Sequence, residues 1–143
     1  MQTDFVTIKE DILVKKYTFI NENNIDLDVK FYVHSELLSD NNNFVGCKVI
    51  DNGMVQYSHD FMISTIAQDK KPVAHQINDS KNTIKSTNIH DKDYIGMSKD
   101  SSLAYEIGKI KPSEKKTIEI CIVLQEHPQN MSDFEKEMER IRR

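Results

Sequence analysis

The sequence predicts an all-β fold, an antiparallel β-sandwich closed by a short C-terminal helix. Three observations carry this: apolar/polar alternation through residues 25–34, an Asn-Gly hairpin signal at 52–53, and no alternation of strands with helices. In the first, Ile25, Leu27, Val29, Phe31 and Val33 alternate with Asp26, Asp28, Lys30, Tyr32 and His34. Period two puts one set on each face of a strand. One dry and one wet face belong to an antiparallel sheet, because parallel strands read as unbroken apolar runs.

The other elements follow in chain order. Residues 12–20 (ILVKKYTFI) are β-branched and aromatic, and read as a strand. Asn21, Asn23 and Asn24 make a polar link to the next strand, and residues 39–43 supply a second loop. Asn52-Gly53 suits a type I′ turn, which needs positive φ at both central residues and would set Ile50 opposite Val55 and Lys48 opposite Tyr57. Residues 61–67 and 73–77 read as strands separated at Pro72, which cannot donate to a ladder. From Asn78 to Ser102 the chain is polar, anchored by Ile84, Ile89, Tyr94, Ile95 and Met97, and a loop that long is functional, mobile or hiding short elements. Leu103, Tyr105 and Ile107 form a short strand, and Gly108 to Lys116 connects it to the last one. There Ile118, Ile120, Ile122 and Leu124 make the inner face, while Cys121 and Val123 lie on the other.

The period changes at the end. Ser132-Asp-Phe-Glu135 matches a capping box, and Phe134, Met138 and Ile141 fall on one helical face. The expected division is a sandwich over 1–127, about seven strands in all, and a helix within 128–143 that begins an inter-domain linker. A helix of about three turns is marginal alone and needs a surface to pack on.

A chain of 143 residues fits one core. The net charge of −4, with lysines and arginines scattered among acids, lacks the clustered basic footprint of nucleic-acid binding. No apolar run approaches the ~20 residues of a membrane span, and the first residues are too polar for a secretory core, so the expected location is cytoplasmic unless a leader preceded this sequence. Cys47 and Cys121 have no metal-ligand spacing and sit in strand-like segments that suit buried free thiols; a disulfide between them stays open.

Catalytic and metal chemistry find little footing. His90-Asp91-Lys92-Asp93 is the densest ligand cluster, but Ca²⁺ wants six to eight oxygens, and a solvated loop is the plainer reading. His34, His59, His75 and His127 are isolated. No GxSxG or phosphate-cradling glycine motif occurs, and Glu106 and Glu119 alternate outward from their strands. The sequence therefore assigns no catalytic residue, metal ligand or cofactor. Tyr32, Tyr57 and Tyr94 are the candidate platforms for an oligosaccharide, though packing is the commoner fate of each. Phe134, Met138 and Ile141 complete the candidate interaction surface.

The succession YTFIN, YSH after the NG turn, and GKIKPSE before the last strand resembles the N-terminal β-sandwich of bacterial glycoside hydrolase family 15, the glucoamylase-like and glucodextranase-like enzymes. The resemblance runs from Ile12 to Leu124. It implies a super-sandwich that precedes a helical linker and an (α/α)₆ barrel holding both catalytic glutamates of an inverting hydrolase. No barrel sequence follows here, so no catalytic position carries over. The expected role is a non-catalytic accessory domain supporting such a barrel, with a bare apolar patch on the linker helix and on the Cys121/Val123 face. An independent glycan- or protein-binding module is the alternative, and a small enzyme the third reading.

Overall fold

The computed structural model describes residues 2–7, 11–37, 46–58, 61–78, 89, 91–98 and 100–126. Ten strands occur among them: β1 (Gln2–Thr7), β2 (Ile12–Ile20), β3 (Leu27–Glu36), β4 (Gly46–Ile50), β5 (Gly53–Tyr57), β6 (Phe61–Ala67), β7 (Ala74–Ile77), β8 (Ile95–Gly96), β9 (Asp100–Ile110) and β10 (Lys115–Glu126). They form two antiparallel sheets, ordered β1-β2-β10-β6-β5-β4-β8 and β3-β9-β7. The all-β architecture is the expected one. The two strands not anticipated are β1 and β8, and β9 starts three residues before Leu103, within the stretch expected to be loop. The capping box and the Phe134, Met138 and Ile141 stripe lie outside the described residues.

Between the sheets sits the main core, with Met54, Leu103, Tyr105, Ile107, Ile110, Ile118 and Ile120 buried in it. Alternation delivers these residues: β3 turns Val29, Phe31 and Val33 inward, and Phe31 meets the rings of Tyr17 and Phe19 on β2 at 4.7 and 5.6 Å. Each fully buried Ile or Leu contributes roughly 1.5–3 kcal/mol. Leu124 departs from the expected inner face and is 45% exposed.

Strand β9 runs three residues past its expected end because it contains a bulge. The register passes from Val29 opposite Gly108 to Lys30 opposite Glu106, leaving Ile107 as the extra residue. Gly108 adopts φ +90°, which permits the irregularity. Its effect is on parity. Ile107 and Ile110 differ by three positions, yet both are buried in the same core. A regular strand would turn one of them outward. Gly108→Ala is expected to lose about 1–2 kcal/mol through the positive φ alone, measurable as a lowered urea midpoint at unchanged m-value.

The Asn52-Gly53 hairpin forms, but with another turn. Ile50 pairs with Gly53 and Lys48 with Val55, so the two loop residues are Asp51 and Asn52. Neither has positive φ, which rules out type I′. Gly53 is needed for a different reason. A Cβ there would strike the backbone of β6, lying 2.7 Å from Ile66 Cα and nearer still to the Thr65 carbonyl. Asn52 is buried and donates its side-chain amide to the Ala67 carbonyl at 3.1 Å. Its own carbonyl accepts from the Ala67 N–H at 3.0 Å and from the Tyr105 hydroxyl at 2.9 Å. The turn is thus tied to β6 in its own sheet and to β9 in the other.

Asn21, read as an ordinary loop residue, fastens one end of the sandwich. Its side-chain amide donates to the carbonyls of Ile25 and Ile110 at 2.7 and 2.8 Å, and its Oδ1 accepts from the Asn23 N–H at 2.9 Å. Its backbone pairs with Ser113 and Glu114 in the β9–β10 turn. That turn is short because β10 starts at Lys115, with Ser113 at φ 66°.

Cys47 and Cys121 are free and buried. They belong to opposite faces of the seven-stranded sheet: Cys47 joins the core between the sheets, Cys121 a second cluster with Ile12, Val55, Met62, Ile66 and Val123. The open question of a disulfide is settled by that separation. Burial pushes the Cys47 thiol up to about 11, with the nearby Asp100 charge adding to the rise and a Ser101 hydrogen bond opposing it. The expected bare patch on the Cys121/Val123 face is absent, since Cys121 is 3% and Val123 1% exposed.

Candidate functional site at the β8 margin

The polar stretch before β9 crosses from one sheet to the other. The Asp91 N–H donates to the His75 carbonyl on β7 at 3.0 Å. Its two carboxylate oxygens accept from the Ile77 and Asp93 N–H groups, each at 3.0 Å. Three residues on from Asp91, the Tyr94 carbonyl accepts from the Val49 N–H of β4 at 2.7 Å, and β8 pairs with β4 through Ile95 and Gly96. Gly96 lies over Ile77, whose Cγ2 would be 2.9 Å from a Cβ at that position. The chain therefore closes one side of the sandwich, and its small residue allows the two sheets to meet there.

His75 locks this arrangement. It is buried, and its Nε2 lies 2.6 Å from the Asp93 carbonyl. A carbonyl only accepts, so Nε2 carries the proton. The imidazole stands 4.8 Å from the Tyr94 ring at 47°. Tyr94 is held from below while its outer surface faces solvent. It is 64% exposed, Ile95 64% and Met97 66%. These residues were expected to anchor the segment inward; backbone hydrogen bonds and His75 anchor it instead, leaving three large apolar side chains outside.

The remaining candidates separate clearly. Tyr57 packs with the Cys121 cluster, and its ring covers Gly46 across the β4–β5 pair, so it serves as packing. Tyr32 is half-buried on the outer side of the small sheet, opposite Ala104. Tyr94 alone of the three presents a ring supported from behind and open in front. Phe134, Met138 and Ile141 lie outside the described residues, as do His59, His90 and His127. Sequence reasoning missed His75, whose partners Asp93 and Tyr94 are 18 and 19 positions away. Its one local signal was a histidine at an alternating position of a short strand.

Other polar groupings serve the fold. In the suspected Ca²⁺ loop, backbone N–H groups occupy both Asp91 oxygens, and Asp93 supplies one of those N–H groups and gives its carbonyl to His75. Among the described residues no three His, Cys, Asp or Glu side chains gather as a metal site. His34 and Ser102, directly opposite on β3 and β9, are joined Nδ1 to Oγ at 3.1 Å. Ser102 is fully buried, so its hydroxyl cannot meet a substrate and the pair acts as a cross-strand tie. A cleft of about 380 Å³ opens between β2 and β3, walled by Phe19, Ile20, Leu27, Val29 and Ile110. Asn21 at its base has its amide committed to two carbonyls, so it is no free handle for a ligand.

Burial alone would raise the Asp91 carboxyl, but the N–H groups of Asp93 and Ile77, with His75 nearby, outweigh it and hold the group below its ordinary value. A depressed folded-state value means stabilisation that is complete above the unfolded value, ~3.9 for Asp, and lost as pH falls through the folded one. Asp91→Ala is expected to cost about 1 kcal/mol at pH 7 through its lost backbone contacts. That difference between wild type and variant should shrink in urea titrations taken below pH 4.

Among the described residues no helix is long and apolar enough to cross a membrane. No family model matches this chain, and no curated protein matches it.

Proposed function

We propose that this domain is a non-catalytic interaction module, an accessory β-sandwich that docks on a partner protein domain through the β8 margin. The observation that supports it is the exposure of Tyr94, Ile95 and Met97 within four residues on a rigidly tied edge. Tyr and Met are enriched at protein interfaces, whereas Ile and Met offer a sugar ring no flat face to stack on. The resemblance to glycoside hydrolase family 15 supplies the candidate partner, the (α/α)₆ barrel of a glucoamylase-like enzyme. On that reading the buried Cys121/Val123 face is not the contact, and the β8 margin takes its place.

The test is titration of the domain against an isolated glucoamylase-type barrel by calorimetry. Binding weakened at least tenfold by Ile95→Asp supports the reading, and no binding at any accessible concentration counts against the barrel as partner. The glycan-binding reading is favoured by one feature, the open face of Tyr94. Retention on a glycan array that disappears in Tyr94→Ala would establish it in place of protein docking.

A further inference from the structure

The methionines among the described residues have opposite surroundings. Met54 and Met62 are 0% and 1% exposed, while Met97 stands 66% open to solvent. The Met54 sulfur is also engaged, accepting from the Ser101 hydroxyl at 2.7 Å. Met97 owes its position to a segment patterned inside out. Through residues 95–98 the small Gly96 lies over Ile77 and Ser98 is buried, so period two turns the large Ile95 and Met97 outward. Both flanking positions are fastened. Gly96 pairs with Cys47 on β4, and the Ser98 hydroxyl donates to the Asp100 carbonyl at 2.9 Å and accepts from the Asp100 N–H at 3.2 Å. With its neighbours tied on both sides, the Met97 thioether cannot fold in among the buried side chains.

We propose that Met97 is an oxidation site, and that its conversion to the sulfoxide releases whatever docks on the β8 margin. The oxidant is a hydroperoxide, hydrogen peroxide in the simplest case. A sulfur lone pair attacks one peroxide oxygen and the O–O bond breaks. The departing hydroxide takes the proton of the transferred oxygen and leaves as water. Sulfur is oxidised by two electrons to the sulfoxide and the peroxide is reduced. A flexible apolar side chain thereby becomes a polar acceptor within the patch that Tyr94 and Ile95 share with it. An apolar partner surface laid over the sulfoxide would bury that acceptor without a donor, a cost beyond the lost contact. The consequence for docking rests on the reading of the β8 margin given above, whereas the assignment of the site does not.

Full-length wild type and a Met97→Leu variant are treated with hydrogen peroxide, and oxygen uptake at each methionine is followed by peptide mass. Met97 is expected to react at least about tenfold faster than Met54 and Met62, since exposure governs access to the sulfur. Equal rates overturn the site. Hydrophobic-interaction chromatography reads the change in the surface without any partner. Peroxide should shorten the retention of wild type more than that of Met97→Leu, and an equal shortening overturns the change in polarity. Calorimetric titration with the glucoamylase-type barrel, before and after peroxide, then tests release. Binding weakened at least about tenfold by peroxide in wild type, with Met97→Leu indifferent to the same treatment, supports it. An equal response of the two proteins overturns it. If untreated wild type does not bind the barrel, the docking reading fails and release with it, while the oxidation site stands or falls on mass and chromatography.

Discussion

Gly53→Ala is expected to destabilise the domain by about 3 kcal/mol or more, the upper end for forced overpacking. The added methyl meets the Thr65 carbonyl and Ile66 Cα of β6, and backbone cannot swing aside as a side chain does. Relief would require β5 and β6 to separate where Gly53 pairs with Ile66 and Met54 with Thr65. It would also break the Asn52 contacts to Ala67, which depend on the same approach. Against a typical stability of about 5–15 kcal/mol, much of the folded population at 37 °C is at stake. Urea unfolding followed by circular dichroism gives the number. A loss below about 1 kcal/mol, ordinary for a surface substitution, would show that the close approach is not real.

Tyr105→Ala is the second large effect, expected to cost about 3–5 kcal/mol as a large-to-small core change. The ring is fully buried at the centre of the inter-sheet core. Its hydroxyl reaches the Asn52 carbonyl at 2.9 Å, and burial holds that phenol well above its ordinary value. Tyr105→Phe separates the two contributions, since it keeps the ring and removes the donor. That variant is expected to cost about 1 kcal/mol, the net worth of one neutral hydrogen bond. The Asn52 carbonyl still accepts from the Ala67 N–H, which keeps the loss small. Near-equal losses for the two variants would mean that the ring adds little, contrary to its burial.

Much of the architecture was legible from residue alternation. Strands β2 and β6 fall at their expected limits, and β3 begins two residues after its alternation starts. Burial on one face writes itself into every second residue, so this information is local. What escaped reading depends on partners distant in sequence. The hairpin was placed correctly but its register was displaced, because Gly53 answers to β6 and not to the turn. The bulge at Gly108 was taken for a strand end, since a glycine followed by lysines looks the same in either role. β8 has only two residues, too few for periodicity to show. The β8 margin was half legible: Tyr94 stood out as an aromatic in a polar stretch. Its support by His75 arises only when β7 and the crossing segment meet, which no local spacing records.

The Asn52-Gly53 pair also bears on how the molecule ages. In a flexible chain the glycine nitrogen attacks the preceding asparagine carboxamide, expels ammonia and leaves a succinimide that opens to aspartate or isoaspartate. Here the Asn52 amide is buried and engaged with the Ala67 carbonyl, so a closed hairpin resists that reaction. Only molecules that open are damaged. A carboxylate formed at Asn52 would then face the Ala67 carbonyl with no proton to offer, so the damaged hairpin closes poorly. The time spent open is thus recorded as a permanent chemical mark. Isoaspartate should accumulate in proportion to the unfolded fraction set by urea, which makes Asn52 a natural clock of the domain's excursions from its folded state.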